Sequence, residues 1–120
     1  MKFLKFGKIT VGNKGEVLAK KFLQKNGYRI LVTNYKNKLG EIDIIATKED
    51  TIIFVEVKTR TSKRFGLGKE AVNKHKQKQI IKVAKCYLKS LSQNFKVRFD
   101  VIGIDLENQK IEHIPNAFTL

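Results

Sequence analysis

Three side chains able to do chemistry interrupt two strongly apolar stretches: Asp43 in GEIDIIA, and Glu56 and Lys58 in IIFVEVKTR. Two carboxylates and an ammonium are what metal-dependent phosphodiester hydrolysis asks of a protein. The acids are hard oxygen ligands for Mg²⁺ or Mn²⁺, and the lysine can orient or activate water or stabilise charge developing on the phosphate. The carbonyl of Val57 could add a ligand, and Glu16, earlier in the chain, could reach the ion through water. A lone acid followed at a distance by E-x-K is a weak pattern, because any charged hairpin produces it. Its setting among Ile, Phe and Val strengthens it, and the structural alternative is a buried ion network of the same three residues.

For these groups to meet, the two stretches must pair as strands. With a period of two, Glu41, Asp43 and Ile45 share one face and Ile42, Ile44 and Ala46 the other. In the second run, Ile52, Phe54, Glu56 and Lys58 oppose Ile53, Val55 and Val57. A two-residue loop at Glu49-Asp50 would set Lys48 opposite Thr51, Thr47 opposite Ile52, Ile45 opposite Phe54, Asp43 opposite Glu56 and Glu41 opposite Lys58. Glu-Asp is not a favoured loop dipeptide, which leaves a longer loop open, and a slip of one residue would separate the acids. Directly opposed carboxylates cost about 0.2–1 kcal/mol even on an exposed sheet. A divalent cation between them reverses that sign.

The flanking elements follow from periodicity. A helix is expected over 13–26, with Leu18, Ala19, Phe22 and Leu23 on its apolar stripe and Asn26-Gly27 as its stop. Asn13 would cap it, and Glu16 would then either close a capping box or face the metal. A strand over 28–35 precedes the hairpin. Residues 59–68, TRTSKRFGLG, read as a surface loop able to clamp a phosphate backbone through Arg60, Lys63 and Arg64, with Phe65 to stack, wedge or anchor. A second helix over 73–91 carries Ile80, Ala84, Tyr87, Leu88 and Leu91 inward and a ridge of Lys74, Lys78, Lys82, Lys85 and Lys89 outward. Gln77 falls on the inner side, either pointing at the charged end of the hairpin or snorkelling out, with Lys76 at its border. Residues 95–106 form a strand with Phe95, Val97, Phe99 and Val101 on one side. Arg98, Asp100, Ile102 and Ile104 lie on the other, and Arg98 and Asp100 can pair. Strand, helix, strand implies a parallel, right-handed crossover. A turn and short edge strand to Ile114 and a tail over 115–120, where Phe118 could tuck back, complete a single domain over 1–120.

The chain carries 25 Lys and Arg against 11 Asp and Glu, a net charge of +14. Eleven of those bases, with one acid, lie between Lys58 and Lys89. That density suits a polyanion, although a solvated lysine-rich surface gives the same count. Cys86 is the single cysteine, which excludes an internal disulfide and a cysteine zinc site and fits a reducing, cytoplasmic setting. No apolar run is long enough for a signal segment or membrane insertion. A nucleotide-hydrolase reading has no Gly-rich phosphate loop to rest on. His75 and His113 lack metal or triad spacing and read as surface residues.

The segments KGEVLAKKFLQKNGYRIL, GEIDIIA, IIFVEVKTR, the Lys76-Gln77 pair and RFDVIGI together resemble the YraN family of small uncharacterised bacterial proteins. The chain is also similar to archaeal Holliday junction resolvases, whose PD-(D/E)xK site joins a helix glutamate, a strand aspartate and an E-x-K on the next strand. The resemblance implies an α/β, restriction-endonuclease-like fold, a mixed central sheet flanked by helices on both sides. On it Glu16 is the helix acid, Asp43 and Glu56 are metal ligands and Lys58 is the catalytic lysine. Where that signature often has proline before the aspartate, this chain has Ile42, preceded by Glu41, which could supplement the site or pair with Lys58. The expected function is Mg²⁺- or Mn²⁺-dependent cleavage of DNA, more than of RNA, with branched or flapped structures as candidate substrates. Arg60, Lys63, Arg64, Lys76, Gln77 and Lys78 would hold the nucleic acid. A homodimer could form through the edge after Ile111. The alternatives are a non-catalytic nucleic-acid-binding module and a peripheral membrane or scaffold protein, and the acid cluster argues against the last.

Overall fold

The apolar runs pair into one five-stranded sheet. The computed structural model describes residues 11–60 and 72–120. Its elements are α1 (Val11–Lys25), β1 (Arg29–Asn37), β2 (Gly40–Lys48), β3 (Thr51–Arg60), α2 (Lys74–Lys89), β4 (Lys96–Asp105) and β5 (Lys110–Phe118). Strand order follows the chain, β1-β2-β3-β4-β5. β3 and β4 run parallel, joined through α2, and the other three pairs are antiparallel. The sheet is mixed, as expected. Among the described residues no helix is long and apolar enough to cross a membrane.

Each helix covers one face. Ala19 and Leu23 of α1 pack on Ile44, Ala46, Ile53, Val55, Ile102 and Ile104. Ile80, Val83 and Ala84 of α2 pack on Ile45, Ile52, Phe54, Phe99 and Val101. The alternation in β3 and β4 therefore divides the two cores as the sequence requires. The Glu49-Asp50 loop has two residues, and Lys48–Thr51, Thr47–Ile52 and Ile45–Phe54 are paired. Glu49 takes up the left-handed conformation, φ 56°, that such a turn needs and that glycine or asparagine usually supplies.

Several boundaries differ from expectation. α1 already includes Asn13, so Asn13 does not cap it and Glu16 lies beyond the first turn. The apolar stripe fixes a helix's face better than its start, because a turn of polar residues is compatible with either state. Asn73 does cap α2, accepting from the Lys76 amide at 2.8 Å. β3 extends through Thr59 and Arg60, which pair with Ile104 and Asp105. They are strand and not loop because β4 offers a partner beyond the hairpin. The expected clamp residues Lys63 and Arg64, and Phe65, lie outside the described residues.

The C-terminal residues are not a tail. β5 runs through Pro115 to Phe118. A proline is tolerated there because an edge strand leaves one row of amides unpaired. Phe118 completes a row of stacked rings over the α2 face, 5.0 Å from Phe99, which is itself 5.5 Å from Phe54.

Candidate active site

Glu16 is brought to the sheet by its neighbour. A Cβ on Gly15 would overlap the Thr59 hydroxyl, so only glycine lets α1 approach β3 this closely. The Glu16 carboxyl hydrogen-bonds the Asn34 side chain and lies near Asp43 and Glu41. Burial first, then the charge of Asp43, pushes it above its usual range. It stands on the periphery of the acid pair and not in a capping box.

Asp43 occupies a break in the strand pattern. Ile42 packs with Ile45 on the α2 side, while Ile44 packs on the α1 side. The expected common face for Ile42, Ile44 and Ala46 is therefore wrong. The cause lies across the ladder: Thr33–Ile44 and Tyr35–Ile42 are paired, which brackets Asn34 and Asp43. Asn34 has φ 53°, and a left-handed residue in a strand breaks the alternation of faces. On its other side β2 pairs with β3 only as far as Ile44–Val55. Beyond that point Asp43 Oδ2 accepts the Val57 amide at 2.7 Å. A side chain has taken the place of a ladder partner where the strands part.

Asp43 and Glu56 are in hydrogen-bonding contact through their carboxyls. Glu56 is 8% exposed, and burial first, then the Asp43 charge, pushes it up to about 7. Burial also raises Asp43, against the Val57 amide, which favours its charged form. Both carboxyls are thus pushed toward their protonated forms, Glu56 the further. Lys58 and Lys76 both favour the ionised Glu56, and Lys76 Nζ stands 3.9 Å from its carboxylate. At that separation the lysine is a nearby charge rather than a hydrogen-bonded partner.

The structure brings Asp43, Glu56, Lys58 and Lys76 near one another, with Glu16 beside them, but the expected ladder pairs Asp43–Glu56 and Glu41–Lys58 do not form, because the β2–β3 register ends at Ile44–Val55. Gln77 goes elsewhere: its Nε2 donates to the Val72 carbonyl at 2.8 Å, closing the entry to α2 instead of reaching the carboxylates. Lys78 is exposed on α2. Arg60 ends β3, its carbonyl accepting the Leu106 amide at 2.9 Å. Two residues that shape the site were missed, Gly15 and Asn34. A glycine within a helical pattern signals close approach, whereas nothing local marks Asn34 as left-handed.

A second acid cluster lies on the α1 side. The fully buried Asp100 accepts from Arg98 Nε and Nη2, both at 2.8 Å, from the Asn116 amide at 2.9 Å and contacts His113 Nε2 at 2.8 Å. Arg98 also donates to the Tyr28 hydroxyl at 2.6 Å. Burial alone would raise the Asp100 carboxyl, but the bonds from His113 and Arg98 outweigh it and hold it below the usual range. The expected Arg98–Asp100 pair is present. His113, expected on the surface, is instead half-buried, edge-on to Phe22 and Tyr28. Its position on β5, next to β4, gives Asp100 a partner that spacing along the chain cannot reveal.

The residues present fit a hard divalent cation. Mg²⁺ is commonly held by one or two carboxylates with the remaining positions filled by water or substrate oxygen. A carboxyl pair that keeps a proton when alone suits such an ion. Among the described residues no group of three His, Cys, Asp or Glu side chains is arranged to hold one, so the protein's share would be the Asp43–Glu56 pair.

Comparison with known proteins places the chain. The profile of the uncharacterised protein family UPF0102 matches residues 15–104. The chain is 48% identical over 120 residues to a UPF0102 protein of Caldanaerobacter subterraneus subsp. tengcongensis, covering 95% of this chain and 98% of that one. It is 50% identical over 115 residues to one from Clostridium beijerinckii, covering 92% and 94%. A solved structure of SfsA from Pyrococcus furiosus in complex with Ca²⁺ aligns with 13% identity and a TM-score of 0.32. The alignment covers 88% of this chain and 62% of that one, a likeness too distant to bear on fold or function. On the family profile and these full-length relatives, the chain belongs to the uncharacterised protein family UPF0102, the YraN family.

Proposed function

We propose that the chain is a metal-dependent nuclease that hydrolyses DNA phosphodiesters at a PD-(D/E)xK-type site in a restriction-endonuclease-like fold, acting on branched or flapped DNA. One observation carries this reading: two carboxyls in contact at the point where β2 and β3 part, one of them raised to about 7. An ion network built for stability would hydrogen-bond a cation to these acids, yet Lys76 stands 3.9 Å away. Asp43, Glu56 and the Val57 carbonyl would hold Mg²⁺ or Mn²⁺, with Glu16 acting through water. When bound, the ion supplies Lewis acidity and makes water a stronger nucleophile. Lys58, two residues along β3, orients that water and stabilises charge on the phosphate. Lys76, Lys78 and Arg60, with Lys63 and Arg64 beyond them, attract the backbone, and Gln77 supports the α2 entry from which two of these lysines project.

DNA as the substrate is supported by the likeness to junction resolvases, and the cytoplasm as the place of action by the single cysteine, Cys86, which fits a reducing compartment. Cutting both strands of a junction would take two copies, and the β5 edge, where Ile111 is exposed, is a surface on which they could meet. The second reading is a nucleic-acid-binding module without turnover. It is favoured by Glu16, which bonds Asn34 and so leaves the acid pair without a third carboxylate. Calorimetry with Mn²⁺ and cleavage assays on junction, flap and duplex DNA separate the two. Heat of binding with the wild type and not with Asp43→Ala, together with cutting by the wild type alone, establishes the enzyme. Metal binding without cleavage establishes the module, and no metal binding sinks the site.

A further inference from the structure

The β1–β2 hairpin raises a leucine between two basic grooves. Lys38 and Leu39 form its two-residue loop, and Leu39 is 45% exposed. An apolar tip of this kind is ordinarily free to move, but here it is braced on both sides. The Leu39 amide donates to Asn37 Oδ1 at 2.8 Å, and Gln79 Nε2 of α2 donates to the Leu39 carbonyl at 3.3 Å. Gly40 allows the second brace: φ is 151°, and a Cβ there would come within 3.0 Å of Gln79 Nε2.

On one side lies a groove of about 440 Å³ that includes Lys36, Lys38, Lys76 and Glu41. Two of its lining residues neighbour the acid pair: Lys76 Nζ stands 3.9 Å from Glu56, and the Glu41 charge acts on Asp43. On the other side a groove of about 270 Å³ includes His75, Lys78 and Lys82. Leu39 and Gln79 border both grooves. Among the described residues no ion pair holds Lys36, Lys38, Lys78 or Lys82. Asn37 Nδ2 in the first groove is buried and has no hydrogen-bond partner. Lysines lining a groove with no ion pair among the described residues are a site for phosphate oxygens.

We infer that Leu39 is a strand-separating wedge, with the two grooves carrying the two nucleic-acid strands that diverge at a branch point. Apolar side chains inserted between bases unstack them, and the cost falls where stacking is already interrupted. The flanking lysines supply the phosphate attraction that offsets it. The strand in the Lys36–Lys76 groove is led to Asp43 and Glu56, and the other is carried over α2. This deepens the nuclease reading and rests on it for the direction of the strands, but the wedge itself needs no turnover.

The test is therefore made on binding, in EDTA, with the full chain. A forked DNA carrying 2-aminopurine at the branch and a duplex of equal length are compared by fluorescence and anisotropy. The wild type should bind the fork at least fivefold more tightly than the duplex and raise branch-point fluorescence severalfold. Leu39→Ala should lose both effects while keeping duplex affinity within twofold, and, because Leu39 is exposed, its Tm should be unchanged. Lys36→Ala with Lys38→Ala should weaken fork and duplex together and lower the salt dependence. An unchanged fork preference and fluorescence rise in Leu39→Ala overturns the wedge. Wedge behaviour without cleavage in Mn²⁺ keeps this inference and removes the nuclease reading. A wild type that binds no DNA overturns both.

Discussion

Two acid clusters lie in the same sheet, and their surroundings differ in every respect that matters. Asp100 is fully buried and surrounded by donors: a bidentate arginine, an imidazole and a backbone amide. Its carboxyl is held below the ordinary range. Asp43 and Glu56 face each other at a parting of strands, Asp43 alone accepts an amide, from Val57, and both are raised. Buried polar groups in proteins are normally satisfied, so the first cluster is what a stable sheet requires. The second carries a cost that the fold does not relieve, the usual mark of a site whose partner arrives from outside. On the proposed function the first cluster serves stability and the second chemistry, and substitutions in each should separate the two.

The largest expected difference is in cleavage. Asp43→Asn or Lys58→Ala should lower the rate on flap or junction DNA by about 10²–10³-fold or more, the loss typical of removing one transition-state contact. His113→Gln, which trims the other cluster without removing its acid, should leave the rate within threefold at a temperature where it remains folded. If His113→Gln were as damaging as Asp43→Asn, measured on the same substrate, the division between the clusters would fail.

Stability should show the reverse. Asp100→Ala strips Arg98 and His113 of their shared acceptor, and breaking a buried pair in this way costs about 3–5 kcal/mol. The lower end applies, because Arg98 keeps 27% of its side-chain surface exposed. Glu56→Gln should instead stabilise the metal-free protein at pH 8, by about 1–2 kcal/mol, since it removes one of two like charges. Urea titrations of both variants, compared at equal m-value, decide the signs.

Titration distinguishes the clusters without mutation. Glu56 passes from its ordinary 4.5 in the unfolded chain to about 7 in the folded one, so between those values the folded state holds the extra proton. Stability should therefore fall as pH rises from about 4.5 through about 7 and level off above, by on the order of 3 kcal/mol at most. Asp100 is shifted downward from 3.8, and its contribution is present above 3.8 and lost as pH falls through its folded value. Glu56→Gln should flatten the neutral slope and leave the acid one. Mn²⁺ binding should release more than twice as many protons into a weak buffer at pH 6 as at pH 8, where the pair is already ionised.

The two clusters also differ in how far they could be read from sequence. Asp43, Glu56 and Lys58 were legible because charged residues stand out in apolar strands, whereas the register that was to pair Asp43 with Glu56 stops one residue short, at Ile44–Val55. The Ile45–Phe54 and Thr47–Ile52 pairs followed from the same reasoning. The Asp100 network was legible only as Arg98–Asp100, two residues apart on one strand. His113 and Asn116 reach it from β5, whose pairing with β4 depends on Phe118 stacking on Phe99, a contact between residues nineteen positions apart along the chain by their numbering. The two-fold period failed at Ile42, because alternation presumes that every strand residue has negative φ. Asn34 does not, and it lies between the Thr33–Ile44 and Tyr35–Ile42 pairs, where the faces of β2 change.

The smallest effect tests that last link, and it bears on why the acid pair exists at all. Asn34 performs two tasks: its φ of 53° accompanies the change of face at Asp43, and its side chain bonds Glu16. Asn34→Gly keeps the first and removes the second, since glycine enters the left-handed region without a steric cost. Asn34→Ala removes both and should lose about 1 kcal/mol relative to Asn34→Gly, the cost of a Cβ in that region. If the backbone break is what turns Asp43 toward Val57 and Glu56, Asn34→Gly should retain Mn²⁺ affinity within threefold while Asn34→Ala weakens it further. Equal metal affinity in the two variants would mean that Asp43 is held by the Val57 amide alone. The parting of β2 from β3, and not the bend in β1, would then be the feature that creates the site.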